Sequence, residues 1–490
     1  MKYQSTRSNI YATSTEAVLS GMAPDGGLYG SKELGIIPFN WENTLDLTVL
    51  KMAEAILSYL LPDFTNMEEL VTKAYENKFE TEDLTPVVKV GDNYVLELFR
   101  GPTSAFKDVA LSMLPQLMTA ARKLEGSQKE TVILTATSGD TGKAALEGFH
   151  DVEGTKIMVF YPNGGVSPIQ RAQMATQVGK NVKVCAVDGN FDDCQTAVKE
   201  AFATINGKNL LEGKNKTLSS ANSINIGRLA PQVVYYFKAY SDLVKNGVIT
   251  KGQKVDYVVP TGNFGDILAG YYSKLMGLPV GKLVCASNAN NVLTDFLNTG
   301  IYNKNRTFMK TTSPSMDILV SSNLERLLFI ASDYNTEKVA QWMSDLKKNN
   351  VFTVEKAIMD KINETFYGDY CNEEETEKTI GQVWKDNGYL SDPHTAVALN
   401  VAQKYKEQSK TKNPVVVLST ASPYKFPGPV LKAIGITSKD SEFDQMEKLY
   451  EITKVPVPKN LSSLRGKEEL HKDVINRSDI LSYILNFLEN

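Results

Sequence analysis

The sequence predicts an α/β protein with mostly parallel sheets covered by helices. Short runs of β-branched and other apolar residues recur along the chain, and helical-looking segments separate several of them. The runs span residues 131–136, 156–161, 182–187, 255–259, 283–286 and 415–419. Continuous apolar strands that alternate with helices are typical of parallel sheets buried on both faces. Because ligands bind such sheets beyond the carboxyl ends of the strands, the residues after each run are the candidates for a site.

Length and composition indicate a folded protein with more than one domain. The chain has 490 residues, of which 42% are hydrophobic and 22% are charged. These values match ordinary globular proteins, and the length is large for a single core. Residues 1–92 precede the first strand-and-helix unit and show helical periodicity over residues 45–61, so we expect them to form a separate N-terminal domain.

Charge and rare residues exclude several classes of partner. The formal net charge of -4 predicts that the chain binds neither nucleic acid nor an anionic membrane. The four cysteines and three histidines are scattered, which predicts free structural cysteines and no metal site. Residues 1–11 are polar and no stretch is apolar enough to span a membrane, so we expect a cytoplasmic protein.

The turn after residues 255–259 has the features of an anion cradle. Gly262 and Gly265 let the backbone approach a ligand closely, and residues 266–276 read as a helix. A helix N-terminus binds phosphate through its free N–H groups and the positive end of its dipole. An ordinary turn between a strand and a helix is the alternative for this segment taken alone.

The turn at residues 137–142 is rich in possible donors for a carboxylate or phosphate. Ser138 and Thr141 offer hydroxyl groups, and Asp140 adds a carboxylate. Lys143 follows, but a phosphate-binding P-loop is disfavoured because position 137 is not glycine and position 144 is not Ser or Thr. A structural turn that leads into a helix remains the alternative.

Lys107 is a candidate nucleophile. It follows the apolar pair Ala105-Phe106 and precedes a helical-looking segment, residues 109–124. Burial of the lysine stem would lower its pKa toward the neutral amine that Schiff-base chemistry requires. A solvated surface lysine is the alternative, since most lysines are exposed.

A second polar segment contains Asn222, Ser223 and Arg228. The guanidinium of Arg228 could clamp a phosphate or carboxylate with two hydrogen bonds, although a capped helix with a surface arginine is an equal alternative. His394 follows Asp392 and Pro393, a typical helix start, and we expect it to be structural.

Together these segments resemble the threonine synthases, which belong to the fold-type II pyridoxal-phosphate enzymes. Thr6-Arg7 and Gly-Met-Ala-Pro-Asp-Gly-Gly-Leu-Tyr at residues 21–29 resemble an N-terminal signature that distinguishes this family within fold type II. The lysine segment, the two turns, the Arg228 segment and the His394 segment then follow in the family's order. The resemblance covers nearly the whole chain and implies a tryptophan synthase β-like fold with an N-terminal extension.

The resemblance also implies roles for individual residues. Lys107 would be the Schiff-base lysine of pyridoxal 5'-phosphate, Thr420 would face the pyridine nitrogen, and Asp140 would lie near the ring's 3-oxygen. The cofactor phosphate would be held by Gly262, Asn263, Phe264 and Asp266. The substrate's phosphate and carboxylate would be held by Ser138, Thr141, Asn222, Ser223 and Arg228.

The implied activity is conversion of O-phospho-L-homoserine to L-threonine and phosphate, by γ-elimination followed by addition of water at Cβ. The implied domains are residues 1–92, a lysine and substrate region at 93–250, and a phosphate-binding region with the C-terminal segment at 251–490. We expect a monomer or homodimer. A related lyase, phospholyase or dehydratase is the nearest alternative, and a non-catalytic binding protein is a more distant one. Departures from the family pattern occur at Arg100, Lys143, Ser422 and Tyr424.

Overall fold

A computed structural model describes residues 1–137, 139–189 and 191–489. The strands, in chain order, are β1 (Tyr3–Ser5), β2 (Tyr11–Ala12), β3 (Tyr29–Gly30), β4 (Val87–Val90), β5 (Asn93–Glu97), β6 (Glu130–Ala136), β7 (Thr155–Pro162), β8 (Val182–Asp188), β9 (Lys216–Ser219), β10 (Val255–Pro260), β11 (Val280–Ser287), β12 (Ile301–Asn303), β13 (Val351–Thr353), β14 (Phe366–Tyr370), β15 (Val415–Ser419) and β16 (Val474–Asn476).

The helices, in chain order, are α1 (Ser14–Ser20), α2 (Val49–Leu60), α3 (Met67–Tyr75), α4 (Lys107–Leu124), α5 (Asp140–Phe149), α6 (Pro168–Ala175), α7 (Phe191–Gly207), α8 (Ile226–Leu229), α9 (Val233–Lys245), α10 (Gly265–Leu275), α11 (Val292–Thr299), α12 (Leu324–Ala331), α13 (Thr336–Asn349), α14 (Lys356–Asn363), α15 (Glu373–Asn387), α16 (Pro393–Ser409), α17 (Pro427–Ala433), α18 (Glu442–Thr453), α19 (Lys459–Ser462) and α20 (Ile480–Glu489). Short 3-10 turns occur at Trp41–Thr44, Ala230–Gln232, Pro314–Met316, Pro423–Lys425 and Arg477–Asp479.

Two large sheets form the framework. One has six strands in the order β14-β11-β10-β15-β5-β4, and only β4 pairs antiparallel to its neighbour. The other has five parallel strands in the order β16-β8-β7-β6-β9. Two small antiparallel sheets, β2-β1-β3 and β12-β13, lie outside this framework. The α/β class with parallel sheets is therefore confirmed.

The six apolar runs form strands β6, β7, β8, β10, β11 and β15. Every residue of β10 and β15 is buried, which explains why these strands have no polar alternation. Helices pack on both faces, as in α16 against the six-stranded sheet and α7 against the five-stranded sheet. Each run was recognisable because a strand covered on both faces needs apolar residues at consecutive positions.

The N-terminal segment packs onto a long central helix. The helix expected at residues 45–61 is α2, which begins after Thr48, whose side chain accepts a hydrogen bond from the Lys51 amide. Helix α4 lies against α1, α3, α5 and α8. Most of its side chains are buried. Because α4 begins at Lys107, this packing fixes the candidate nucleophile at the start of a buried helix.

The polar segment at residues 206–220 is exposed over most of its length and ends in a strand. Its last residues form β9, which pairs with β6 at the edge of the five-stranded sheet, and Leu218 and Ser219 are buried. An edge strand needs fewer apolar residues than a central one, so the polar composition concealed it. In the described part of the chain, no helix has the length and apolarity needed to cross a bilayer. The division after residues 92 and 250 remains a prediction.

Candidate active site

A cavity of about 190 Å³ lies where β6, β10 and β15 end and where α4 begins. It brings together residues that are far apart in the sequence and that come from both large sheets. The predicted site residues that line it are Lys107, Thr141, Asn222, Ser223, Arg228, Gly262, Asn263, Phe264, Asp266 and Thr420. Ser138 lies outside the described residues, and Asp140 is not among the lining residues.

Lys107 is buried at the first position of α4, with 8% of its surface exposed. Its Nζ lies 4.5 Å from the centroid of the Phe106 ring. Burial lowers the pKa of Lys107 to about 8, with Asp140 opposing this shift and the positive charges of Arg228 and Lys425 supporting it. The amine is therefore much closer to neutral at physiological pH than a surface lysine is.

Asp140 lies behind the cavity wall, paired with a second buried lysine. Its Oδ1 is 2.5 Å from Nζ of Lys425, which is completely buried, and accepts a 3.0 Å hydrogen bond from Nε2 of Gln170. The hydroxyl of Ser315 donates to Oδ2 at 3.4 Å. Burial by itself raises the pKa of Asp140, but the charges of Lys425 and Lys107 outweigh burial and hold it well below its usual range. Asp140 is therefore a carboxylate.

Thr420 lies beside the start of α4. Its carbonyl oxygen accepts a 2.8 Å hydrogen bond from the Phe106 amide, and Ala105 pairs with Ala421 in an antiparallel bridge. These bonds hold the end of β15 against the residues that precede Lys107. Thr420 thus lines the same cavity as the lysine.

The turn between β10 and α10 forms a compact backbone cradle. Phe264 has a left-handed backbone with φ of 62°, and α10 begins at the next residue. A Cβ atom at Gly262 would lie 3.0 Å from Cδ1 of Ile318 and 3.2 Å from Cα of Met316, so a side chain there would displace its neighbours. The carbonyl oxygen of Gly262 accepts from the Ser321 hydroxyl at 2.6 Å. With that carbonyl engaged, the turn presents the start of α10 to the cavity.

Asp266 is a buried carboxyl in the first turn of α10. Its Oδ1 accepts hydrogen bonds from the hydroxyls of Tyr235 at 2.6 Å and Tyr236 at 2.9 Å. Burial raises the pKa of Asp266 to about 6, against the opposing effect of the two tyrosine hydroxyls. Near neutral pH this group is close to the point at which it gains a proton.

Arg228 provides a buried positive charge at the cavity wall. Only 5% of the residue is exposed, and its Nη1 donates to the Ala221 carbonyl at 2.8 Å. Within the described residues no carboxylate forms an ion pair with it. Burial lowers its pKa to about 10. A buried guanidinium without a carboxylate partner is a strong candidate for binding an anionic ligand.

The structure adds residues that sequence reasoning missed. His394, expected to be structural, lines the cavity; its Nδ1 lies 2.6 Å from Asp392, and its Nε2 accepts a 3.2 Å hydrogen bond from the Ser315 amide. This bond holds the loop that carries Ser315 against the cavity. Gln195 and Lys199 of α7 also line it. The helix-start motif around His394 gave no sign of a role in the cavity, and no local motif marks Gln195 and Lys199, because folding alone brings them there.

Comparison with known proteins places this cavity in a known class. Residues 84–421 match the family described as pyridoxal-phosphate dependent enzyme, which defines the chain as a pyridoxal-phosphate-dependent α/β enzyme. Residues 2–75 match the threonine synthase N terminus and residues 395–480 match the threonine synthase C-terminal region. The chain belongs to the threonine synthase family, and the family and cofactor predictions are confirmed.

Individual relatives agree with this assignment. Threonine synthase of Saccharomyces cerevisiae is 37% identical over 513 residues, which cover 98% of this chain and 96% of the relative. Human threonine synthase-like 1 is 39% identical over 436 residues, but these cover 86% of this chain and only 58% of that longer protein. The crystal structure of pyridoxal-phosphate-bound threonine synthase from Brucella melitensis superposes with a TM-score of 0.86 at 36% identity and covers 100% of both chains.

The residues of the cavity fit pyridoxal phosphate. Lys107 supplies a buried amine of lowered pKa, which suits Schiff-base formation. The turn after β10 supplies a helix N-terminus and a glycine that leaves no room for a side chain, which suits a phosphate group. Thr420 lines the same cavity, where its hydroxyl would face the ring nitrogen. We keep these individual assignments as proposals.

Proposed function

We propose that this chain is a threonine synthase that converts O-phospho-L-homoserine and water to L-threonine and inorganic phosphate. The observation that carries the proposal is the buried Arg228, which lines the same cavity as Lys107 and has no carboxylate partner among the described residues. A substrate with both a phosphate and a carboxylate needs such a charge, because a closed cavity excludes the water that would otherwise solvate the anions.

Arg228 would bind one anionic group of the substrate, together with neighbouring polar side chains. Asn222 and Ser223 lie on the same segment and line the cavity, and Thr141 faces them from the start of α5. Ser138 remains a proposed substrate ligand from the sequence. Neutral amide and hydroxyl groups can bind both anionic groups without adding another charge that would need compensation.

Lys107 would move the protons at the reacting carbons. When bound, pyridoxal phosphate supplies the electron sink that makes the protons next to the substrate amine acidic. Neutral Lys107 Nζ would take the proton from Cα, and phosphate would leave Cγ with the electron pair of its C–O bond and take up the proton released from Cβ. Water would then supply hydroxide to Cβ and a proton to Cγ, and Lys107 would return its proton to Cα. The sum is one water consumed and one phosphate released.

A phospholyase is the second candidate. It stays open because threonine synthase-like 1 proteins are 39% identical to this chain and their name does not establish the threonine synthase reaction. Such an enzyme would use the same phosphate-binding groups but would stop after elimination. Its products would be a keto acid, ammonia and phosphate rather than threonine.

Product analysis separates the two functions. The purified protein with bound cofactor would be incubated with O-phospho-L-homoserine, and phosphate, threonine, ammonia and keto acid would be measured in the same reaction. We expect equal amounts of threonine and phosphate, with no product from Lys107→Ala. Equal amounts of keto acid, ammonia and phosphate would establish the phospholyase, and no phosphate release would contradict both candidates.

A further inference from the structure

An unpaired amide donor lies beside the N-terminus of α10. Asn323 is completely buried, and its Oδ1 accepts a hydrogen bond from Nη1 of Arg326. A guanidinium offers donors only, so this bond fixes the orientation of the amide and directs Nδ2 away from Arg326. Nδ2 is buried and has no hydrogen-bond partner within the described part of the chain.

The unpaired nitrogen lies close to the first residue of the proposed phosphate cradle. A Cβ atom built on Gly265, the first residue of α10, would lie 3.3 Å from Asn323 Nδ2. The backbone N–H of Asn323 donates to the Asn263 carbonyl at 3.1 Å, and this bond ties Asn323 to the same turn. A buried donor without an acceptor destabilises the fold unless a ligand supplies one, and a phosphate at a helix N-terminus offers several oxygen acceptors.

Arg326 holds Asn323 in this orientation and joins three parts of the molecule. Its side chain is completely buried, and its Nε donates to the Tyr29 carbonyl at 2.8 Å and its Nη2 to the Ile224 carbonyl at 2.5 Å. Tyr29 belongs to the N-terminal signature, and Ile224 belongs to the segment that carries Arg228. Every acceptor of Arg326 is a neutral oxygen, so its positive charge remains available to an anion nearby.

The carboxylate next to Arg326 in the sequence is engaged elsewhere. Glu325 accepts two 2.8 Å hydrogen bonds from Arg7, and the Thr6 hydroxyl also donates to it. The Thr6-Arg7 pair and Tyr29 therefore hold adjacent residues at the start of α12. Through these contacts the N-terminal segment packs against the residues that position Asn323.

We propose that Asn323 Nδ2 donates to a phosphate oxygen of pyridoxal phosphate, and that Arg326 is a positioning residue that orients this amide. The proposal rests on the assignment of the 262–266 turn to the cofactor phosphate and extends it to a side chain 57 or more residues further along the chain. The phosphate of the substrate is the other possible source of the same chemistry. The cofactor phosphate is favoured because Asn323 Nδ2 lies close to Gly265, the first residue of α10.

The test compares pyridoxal phosphate with pyridoxal, which lacks the phosphate. The wild-type enzyme and its variants would be purified with cofactor, the dissociation constant of pyridoxal phosphate would be measured by exchange, and each protein would then be reloaded with pyridoxal. Asn323→Ala should weaken the binding of pyridoxal phosphate by ~10- to 100-fold, the usual effect of losing a hydrogen bond to a charged group. The binding of pyridoxal should not change. Asn323→Asp preserves the side-chain shape and should weaken the binding of pyridoxal phosphate further, because a carboxylate would lie near the phosphate.

Three further variants make the result decisive. Asn290→Ala removes another buried asparagine, whose amide already has protein partners, and should leave the ratio of the two constants unchanged. Arg326→Lys should lower the preference for pyridoxal phosphate, because a lysine cannot hold Asn323 and two carbonyls at once. Gly265→Ala should also lower it, since its methyl group intrudes on the cradle.

The outcomes separate this proposal from the site on which it rests. Loss of selectivity in Gly265→Ala but not in either Asn323 variant would overturn the role of Asn323 and leave the turn as the phosphate site. Unchanged selectivity in all of these variants would overturn the turn assignment as well. A raised KM for O-phospho-L-homoserine in Asn323→Asp, with unchanged cofactor selectivity, would assign the amide to the substrate phosphate and contradict the proposal.

Discussion

Replacement of Lys425 by methionine tests how the site prepares its nucleophile. Lys425 is completely buried, pairs with Asp140 and adds a positive charge that lowers the pKa of Lys107. Without Lys425, this repulsion disappears, and Asp140 is left with Lys107 as its remaining lysine partner. Both changes favour protonated Lys107, so its pKa should rise from about 8 toward the ordinary lysine value of 10.5.

The size of the effect follows from the two pKa values. At pH 7.5, a lysine with a pKa of 8 is neutral in roughly a quarter of molecules, whereas one with a pKa of 10.5 is neutral in about one in a thousand. Each unit of rise reduces the neutral amine about tenfold. Lys425→Met should therefore slow Schiff-base formation, by about tenfold for each unit of pKa rise and by no more than ~200-fold, the value for a lysine freed from every shift.

The assay is the rate at which the visible absorbance of bound cofactor returns when pyridoxal phosphate is added to stripped protein between pH 6 and 10. The wild-type rate should rise with a midpoint near pH 8, and the midpoint of Lys425→Met should lie at higher pH. Lys238→Met is the matched control, because Lys238 is a buried lysine paired with Asp242 on α9. An unchanged midpoint in folded Lys425→Met protein would refute the electrostatic reasoning.

Three further perturbations test the anion site, the buried acid and the N-terminal connection. Arg228→Leu should raise KM for O-phospho-L-homoserine by ~10- to 100-fold in steady-state assays, whereas an equal effect of Arg306→Leu would contradict a specific role. The pKa of Asp266 is about 6 in the folded protein, compared with 3.8 for an ordinary aspartate. Protonated Asp266 therefore contributes up to ~3 kcal/mol of stability at low pH, and this contribution is lost as the pH rises through 6. Asp266→Asn should therefore raise the melting temperature of stripped protein at pH 8 more than at pH 4, and an equal change at both would refute this. Glu325→Gln should reduce the free energy of unfolding in urea by about 1–3 kcal/mol, because the buried partner of Arg7 loses its charge; no change would show that the pair is not stabilising.

The fold could be predicted because its sheets are buried on both faces. Consecutive apolar positions marked β10 and β15, and glycines marked the turn after β10. The capping of α16 was equally legible, since Asp392 accepts hydrogen bonds from the amides of His394 and Thr395 as its sequence predicts. The edge strand β9 could not be predicted, because a partly exposed strand lacks a continuous apolar run.

The candidate site could be predicted only where the local sequence marks its chemistry. Lys107, Arg228 and Thr420 line the cavity as expected. Asp140 was predicted beside the cofactor ring, and its pairing with Lys425 could not be foreseen, because 285 positions separate the two residues and neither has a local motif. Tertiary pairings of this kind depend on how α5 and the residues after β15 meet.

The proposed phosphate ligand Asn323 could not be predicted from the sequence for the same reason. Asn323 lies in an ordinary polar stretch before α12, and its importance comes from the orientation that Arg326 imposes. An unpaired donor is a property of the folded state, since in the unfolded chain water would satisfy the same amide.

The most direct test of the account is to locate the cofactor on the chain. The purified holoenzyme would be reduced with borohydride, digested and sequenced by mass spectrometry to find the lysine that carries the pyridoxyl phosphate group. If Lys107 is the Schiff-base lysine, the adduct will be found on Lys107 alone, and Lys107→Ala will carry none. An adduct on Lys425, the other buried lysine beside Asp140, would contradict the assignment of the nucleophile.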